Sequence, residues 1–329
     1  MEPKVSVIIP TYNQVDFVHE TINSVLNQTY SNIEIIITDD GSTDGTQKVL
    51  QKYGSQHPDK IKLVMSDKNT GIASNFNRGL NVVSGDFIAW LGGDDLMFSE
   101  KIEKQVELLK SRPDAVGCCH DAEVFESDSG KILGLFSELY NGKRGLREGG
   151  IELLFDASYL MLPSTMMIRS AAVPTHGFDD RLKYTNDWLF DIEVFRQGKC
   201  VVINEVLGKY RRHDNNITSS PLSKHNGFEE GMLVLGVVEA RYPELHRYVK
   251  KRRTVFFLGE AAKSYGRGEF SRCKGYIKKA ILDGAIIRGL CIYFGLSLFG
   301  KFILQQIPKQ AYNRPRWFVK IYKFILGGS

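Results

Sequence analysis

Cysteine is scarce and scattered: Cys118, Cys119, Cys200, Cys273 and Cys291 are all that 329 residues contain, and no Cys-x-x-Cys spacing occurs. An odd, dispersed set in a chain this long argues against a disulfide framework or a zinc site and points to a reducing compartment. Long apolar runs are missing as well. The longest charge-free apolar stretch, residues 289–300, has twelve residues, against about 20 needed to span a bilayer. The opening MEPKVSVIIPTYN has no basic segment followed by an apolar core, so no secretory signal is expected. Neither a Gly-rich loop ending in Lys-Ser/Thr nor a GxGxxG after a strand is present, which removes the usual support for nucleotide hydrolysis and dinucleotide binding.

What remains is ordinary globular composition, 43% hydrophobic and 25% charged, enough to exclude wholesale disorder. The length suggests about two structural units. The net charge of +5 conceals a division: residues 241–329 hold 19 Lys/Arg against 4 Asp/Glu, leaving 24 against 34 in residues 1–240. An acidic body and a basic tail imply different partners, and the tail calls for an anionic surface. The expected boundaries are 1–225 for the body and 226–329 for a helical, basic C-terminal region.

The first hundred residues alternate between two periodicities. Short β-branched runs at 5–9, 33–38, 61–65 and 87–91 read as strands. Helical spacing follows each, at 15–26, from Ser42 or Thr43 through Leu50, at 72–83 and at 102–109. Such βαβα alternation predicts an α/β fold, a mostly parallel sheet flanked by helices. In such sheets ligands bind beyond the carboxyl ends of the strands. Residues 115–220 are less regular, and the glycines of 142–150 read as a mobile connection.

Four polar clusters stand where those strands end: Pro10-Thr11-Tyr12-Asn13; Asp39-Asp40-Gly41; Asn69, Gly71 and Arg78; and Gly92-Gly93-Asp94-Asp95. A carboxylate after a strand can accept from a base or ribose, Tyr12 can stack on a base, and Arg78 can meet a phosphate. Adjacent carboxylates such as Asp94 and Asp95 suit a hard divalent cation bridging to a diphosphate. Singly, each has a plainer reading: a capped turn for Asp39-Asp40, helix capping for Asp94-Asp95, a salt-bridged arginine for Arg78, an N-cap for Asp187, a structural histidine for His213.

The ordered set VSVIIPTYN (5–13), IEIIITDDGSTDGT (33–46), NTGIASNFNRGL (69–80) and GDFIAWLGGDD (85–95), followed by TNDWL (185–189) and KYRRH (209–213), resembles glycosyltransferase family two over about residues 4–220. The resemblance implies a GT-A fold and an inverting, metal-dependent transfer from a nucleotide-diphospho-sugar, with Mg2+ or Mn2+ as cofactor. It implies donor contacts at Pro10, Thr11, Tyr12, Asn13, Asp39, Asp40, Asn69, Gly71, Arg78 and Asp94, metal contacts at Asp94, Asp95 and His213, and a catalytic base at Asp187. Two departures stand out: Gly92 replaces the first carboxylate of the usual Asp-x-Asp-Asp, and Asn186 replaces a usual Glu. The alternatives are an inactive nucleotide-sugar-binding module and a sugar-phosphate nucleotidyltransferase, whose Gly-rich basic signature is missing from residues 11–19.

In the tail, residues 313–326 (NRPRWFVKIYKFIL) place Trp317, Phe318, Ile321, Phe324 and Ile325 on one helical face and Arg316, Lys320 and Lys323 on another. This is the pattern of an interfacial membrane binder. With relatives that extend lipid-linked glycans in cell-surface polysaccharide or O-antigen synthesis, the expectation is a cytoplasmic enzyme peripheral on the inner membrane face, with no nucleic acid partner despite Lys250-Lys251-Arg252-Arg253.

Overall fold

A computed structural model describes residues 2–142, 145–156, 160–214, 216 and 221–284. The chain divides into two compact units, residues 1–230 and 231–329. In the first, the expected alternation is realised as β1 (Val5–Thr11), α1 (Val18–Leu26), β2 (Ile33–Asp40), α2 (Thr46–Gln56), β3 (Ile61–Ser66), α3 (Ile72–Leu80), β4 (Phe87–Trp90), β5 (Leu96–Met97) and α4 (Lys101–Ser111). Then come β6 (Ala115–Glu126), β7 (Ile132–Leu135), the single turn α5 (Ile151–Leu154), β8 (Met167–Arg169), α6 (Asn186–Phe195) and β9 (Lys199–Arg212). The helix α7 (Pro221–Arg241) leads into α8 (His246–Gly266) and α9 (Phe270–Leu282).

One sheet runs β3-β2-β1-β4-β8-β6-β9-β5, with β7 paired to β6. The first four strands are parallel, and β8 joins β4 and β6 antiparallel. The chain moves outward from β1 through β2 to β3 and then returns to β4 on the other side of β1. This reversal opens a crevice at the carboxyl ends of β1 and β4. Val5, Val7, Ile8, Ile9, Ile35, Ile36, Ile37 and Ile88 are all at most 1% exposed. Burial on both faces is why these strands read as continuous apolar runs.

Three local differences from the sequence expectation have physical causes. Helix α2 starts at Thr46, not at Ser42 or Thr43. Gly45 stands at φ 107°, and Asp44 Oδ1 accepts from the Thr46 amide at 2.9 Å and the Thr46 hydroxyl at 2.6 Å, so an Asx turn occupies the expected first turn. Residues 115–220 are more regular than they read. Strands β6 and β9 pair in parallel along nearly their whole lengths with three register shifts, and such shifts break the period-2 signal. In the glycine-rich segment, Gly149 bridges to Cys200, which ties that end to the sheet.

A buried carboxylate fastens the far ends of the parallel strands. Glu34, 5% exposed, pairs with Lys4 at 2.9 Å and Lys62 at 2.7 Å, and accepts from the Ser6 hydroxyl and the Ser84 amide. Burial alone would raise its carboxyl, but these donors outweigh it and hold it far below the usual range. A depressed folded-state value stabilises above the unfolded value near ~4.3 and is lost as pH falls toward the folded one. Glu34→Ala should therefore lower unfolding free energy at pH 7 by about 3 kcal/mol, the low end for breaking a buried pair because both lysines can return to water. Urea titration at pH 7 and pH 3 checks this: the deficit at pH 7 should shrink at pH 3.

In the second unit, Ala261, Cys273 and Ile277 form a small core. Arg253 of the basic cluster is spent internally, on Glu239 at 2.6 Å and Asp283 at 2.7 Å, and Arg252 lies over the Phe256 ring. Among the described residues no helix is long and apolar enough to cross a membrane. The amphipathic segment 313–326 lies outside them.

Candidate active site

A cavity of about 410 Å³ occupies the crevice at the β1/β4 reversal. Pro10, Thr11, Tyr12, Asn13, Asp40, Asn69, Gly71, Asp94, Asp95, Asp187 and His213 line it. Residues drawn from four strand ends and from α6, spread over two hundred positions, thus meet in one space. Asp39 and Arg78 are not on its wall; each supports a residue that is. A second cavity of about 560 Å³, between α3 and the turn after β8, holds none of the expected donor, metal or catalytic residues.

One wall is built by mutual hydrogen bonding of the loops after β1, β2 and β3. Gly41 stands at φ 74°, and a Cβ there would come within 2.6 Å of the Lys68 backbone, so only glycine lets these loops meet. Asp39 faces into the turn. Its oxygens accept from the Ser42 amide and hydroxyl, from Gln47 Nε2 and from the Thr11 hydroxyl. Asp40, one residue on and therefore on the opposite face of the strand, accepts from the Thr70 amide and hydroxyl, the Gly71 amide and Arg78 NH2 at 2.7 Å. Burial works to raise its carboxyl, but Arg78 and these donors prevail and lower it, so Asp40 stays ionised. Arg78 also bonds Thr70 and Asn75; it orders this wall from behind. Asn75, whose Nδ2 donates to the Thr11 and Thr38 carbonyls, ties the ends of β1 and β2.

The structure separates the two carboxylates after β4. Asp95, 3% exposed, spends both oxygens on the protein: the Arg211 amide donates to Oδ1 at 3.0 Å and the Ser164 hydroxyl to Oδ2 at 2.5 Å. Burial, followed by the Asp94 charge, pushes its carboxyl well above the ordinary range. Asp94 turns to the cavity, where His213 Nε2 stands 2.9 Å from its Oδ2 and Asn216 Nδ2 at 3.4 Å. The His213 ring packs on Phe17 at 4.6 Å, and its buried Nδ1 has no partner among the described residues. Neither aspartate caps α4, since Glu100 precedes that helix. A Cβ on Gly92 would fall 2.8 Å from Asp94 Oδ1 and 3.1 Å from Asp95 Oδ2: the Asp94 carboxylate folds over the position where the family's first aspartate usually stands.

Asp187 lies in the first turn of α6. It opens onto the cleft, yet the surrounding protein raises its carboxyl above the usual value, with a further push from the Glu230 charge. The Trp188 amide donates to its Oδ1 at 2.7 Å, and Trp188 Nε1 anchors the turn to the Leu154 carbonyl. One turn further, Asp191 also reaches the cavity; burial and then the Asp187 charge push it well up. Between the two walls lies an aromatic floor. Phe178 stacks on Phe190 at 4.1 Å and on Phe76 at 4.8 Å, and Trp90 meets Phe190 edge-on at 5.8 Å.

Sequence reasoning misses Asn75, Ser164, Asp191 and Asn216. Asn75 falls inside a quoted motif and could have been found there; Ser164 sits in a three-residue 3₁₀ turn (Pro163–Thr165) with no pattern around it. Among the described residues, no cluster of three or more metal-ligating side chains is preassembled.

The comparisons agree with this architecture. An uncharacterized glycosyltransferase of Rickettsia typhi is 31% identical over 331 residues, covering 98% of this chain and 96% of that protein. The structure of Staphylococcus aureus TarS 1–349 in complex with UDP-GlcNAc superposes with a TM-score of 0.65 at 16% identity, over 91% of this chain and 87% of TarS 1–349. The mannosyltransferase PcManGT of Pyrobaculum calidifontis, in complex with GDP-Man and Mn2+, gives 0.58 at 14% identity, over 99% and 86%. Likeness at that identity establishes a shared GT-A fold. The sequence pattern of glycosyl transferase family 2 matches residues 6–171, the span that carries β1 to β4 and the paired aspartates, and this chain belongs to that family.

Proposed function

We propose that this glycosyltransferase moves a sugar from a nucleoside-diphospho-sugar to a hydroxyl of a glycan acceptor, with inversion at the anomeric carbon. The observation that carries the reading is the single cavity into which the ends of β1, β2 and β4 and the start of α6 all open. Tyr12, Asn13, Asp40 and Asn69 would receive the nucleoside. Asp187 would accept the proton of the acceptor hydroxyl as its oxygen attacks and the bond to the diphosphate oxygen breaks. A carboxylate kept above its usual range by its surroundings suits this, because a general base works best with a value near the operating pH.

The residues fit a hard divalent cation, Mg2+ or Mn2+. Asp94 turns to the cavity beside His213, and Lys183 is the only Lys or Arg among the described lining residues. A diphosphate entering such a field needs compensating positive charge. Asp94, with the imidazole of His213 beside it, would hold the ion; Asp95 would hold the turn. When bound, the ion would stabilise the charge developing on the departing diphosphate. The ligands of the TarS and PcManGT complexes, UDP-GlcNAc and GDP-Man with Mn2+, support this donor class.

A panel of UDP- and GDP-sugars tested for thermal stabilisation with Mn2+ and with EDTA checks the reading, since a bound donor raises stability by mass action. No metal-dependent shift with any member would sink it.

The acceptor would be lipid-linked, with the basic tail resting on anionic membrane. This rests on sequence: a surplus of fifteen basic charges over residues 241–329 and the aromatic-basic segment 313–326. Each Lys or Arg near such a surface contributes about 1 kcal/mol. Removing residues 310–329 should release the protein from phosphatidylserine vesicles and spare nucleotide binding. Equal sedimentation with and without the segment would count against the tail.

A further inference from the structure

The segment entering α6 is held from outside its own motif. Glu230 of α7 accepts from three consecutive backbone amides, Lys183 at 3.1 Å, Tyr184 at 2.8 Å and Thr185 at 3.1 Å, and from the Thr185 hydroxyl at 3.2 Å. One carboxylate thus orders the turn that presents Lys183 and Tyr184 to the cavity and ends two residues before Asp187. Three converging N–H groups at a helix entrance form a nest for an anion, and the chain fills it with its own side chain, from forty-five residues away. We propose that Glu230 is a positioning residue for catalysis: it fixes the acceptor-side turn and with it the place of Asp187.

The proposal rests on Asp187 being the base. Two consequences distinguish it from a purely structural role. Geometrically, loss of the anchor leaves three amides without their acceptor and lets the turn drift, and a displacement of ~1 Å at such a site can cost about 10²-fold in rate. Electrostatically, the protein around Asp187 raises its carboxyl and the Glu230 charge adds a smaller push, against the opposing pull of the Trp188 amide. Asp191, on the same helix, and Lys183, on the turn, are the other charged groups that share this end of the cavity. Removing the Glu230 charge should lower the Asp187 value and extend activity to more acidic pH.

The test uses the full chain and needs no known substrate for its first reading. With 13C-labelled aspartate, the Asp187 carboxyl resonance, assigned by its loss in Asp187→Asn, is titrated in wild type, Glu230→Gln and Glu239→Gln. Glu239 lies on the same helix but pairs with Arg253 and His246. The proposal expects a lower midpoint in Glu230→Gln and none of that change in Glu239→Gln. Glu230→Ala should also speed amide exchange at residues 183–185. With UDP-GlcNAc and GDP-mannose as donor probes, the Glu230 variants should lose kcat by roughly tenfold or more with donor KM little changed. Unchanged amide exchange at residues 183–185 in Glu230→Ala, or an Asp187 midpoint that shifts equally in Glu239→Gln, overturns the proposal. Wild-type kcat in Asp187→Asn would instead remove the base reading and leave the titration result standing.

Discussion

Asp187→Asn should retain nucleoside-diphosphate affinity while transfer falls by ~10²–10⁴, the span for losing a general base. The asparagine keeps the size of the side chain and an oxygen for the Trp188 amide, so α6 should start as before and Trp188 should stay anchored on Leu154. What disappears is the ability to take a proton. The wall formed by the loops after β1, β2 and β3 is hydrogen-bonded together by Asp40, Asn75 and Arg78, in bonds that involve no residue of α6, and so binding and turnover should separate. Calorimetry with UDP or GDP and Mn2+, beside a single-turnover assay, checks both halves. Wild-type turnover would remove Asp187 from the mechanism, and a parallel loss of affinity would make it a donor residue.

The second large effect concerns Asp94. In Asp94→Ala, Mn2+ should no longer improve nucleoside-diphosphate affinity, whereas in the wild type EDTA should weaken it by on the order of 10²-fold, close to 2.7 kcal/mol. The magnitude follows from charge: two like charges 4 Å apart repel by about 4 kcal/mol at an effective dielectric near 20, and a diphosphate here meets Asp94 with Lys183 as the only Lys or Arg among the described lining residues. Asp95→Ala should behave differently. It strips the partners from Ser164 and the Arg211 amide and should appear as a lower unfolding temperature. Equal wild-type affinity in EDTA and in Mn2+ would end the metal assignment.

The parallel half of the fold and most of the cavity wall could be read from the sequence because each strand there is short, apolar on both faces and closed by a turn with its own chemistry. Asp39 and Asp40 show where such reading stops. Alternation says that they face opposite ways, but which one meets the cavity is decided by Thr11 and Gln47 on one side and Thr70 and Arg78 on the other. Likewise Asp94 and Asp95 look equivalent until Ser164 and Arg211, 69 and 116 residues away, take both oxygens of one of them. Glu230 carries no local signal, since a glutamate on a helix surface is usually a solvated one. Strands β6 and β9 pair across long connections and through bulges, so neither their length nor their register shows in the pattern of apolar residues.

Gly92 bears on how this chain could change over time. The free space that an aspartate would need at that position is filled by the oxygens of Asp94 and Asp95. Restoring the commoner motif with Gly92→Asp would therefore evict the Asp94 carboxylate from its place beside His213 before the newcomer could serve. The Asp94 carboxylate is the tip of a side chain and can swing aside, so the effect of Gly92→Asp should fall on the Asp94–His213 contact, while the turn itself stays held by Thr21, whose hydroxyl lies 3.0 and 2.9 Å from the Gly93 and Asp95 carbonyls. Positions 92 and 94 therefore compete for one place beside His213, and a library that varied both would sample more ways of setting a carboxylate there than one that varied 92 alone.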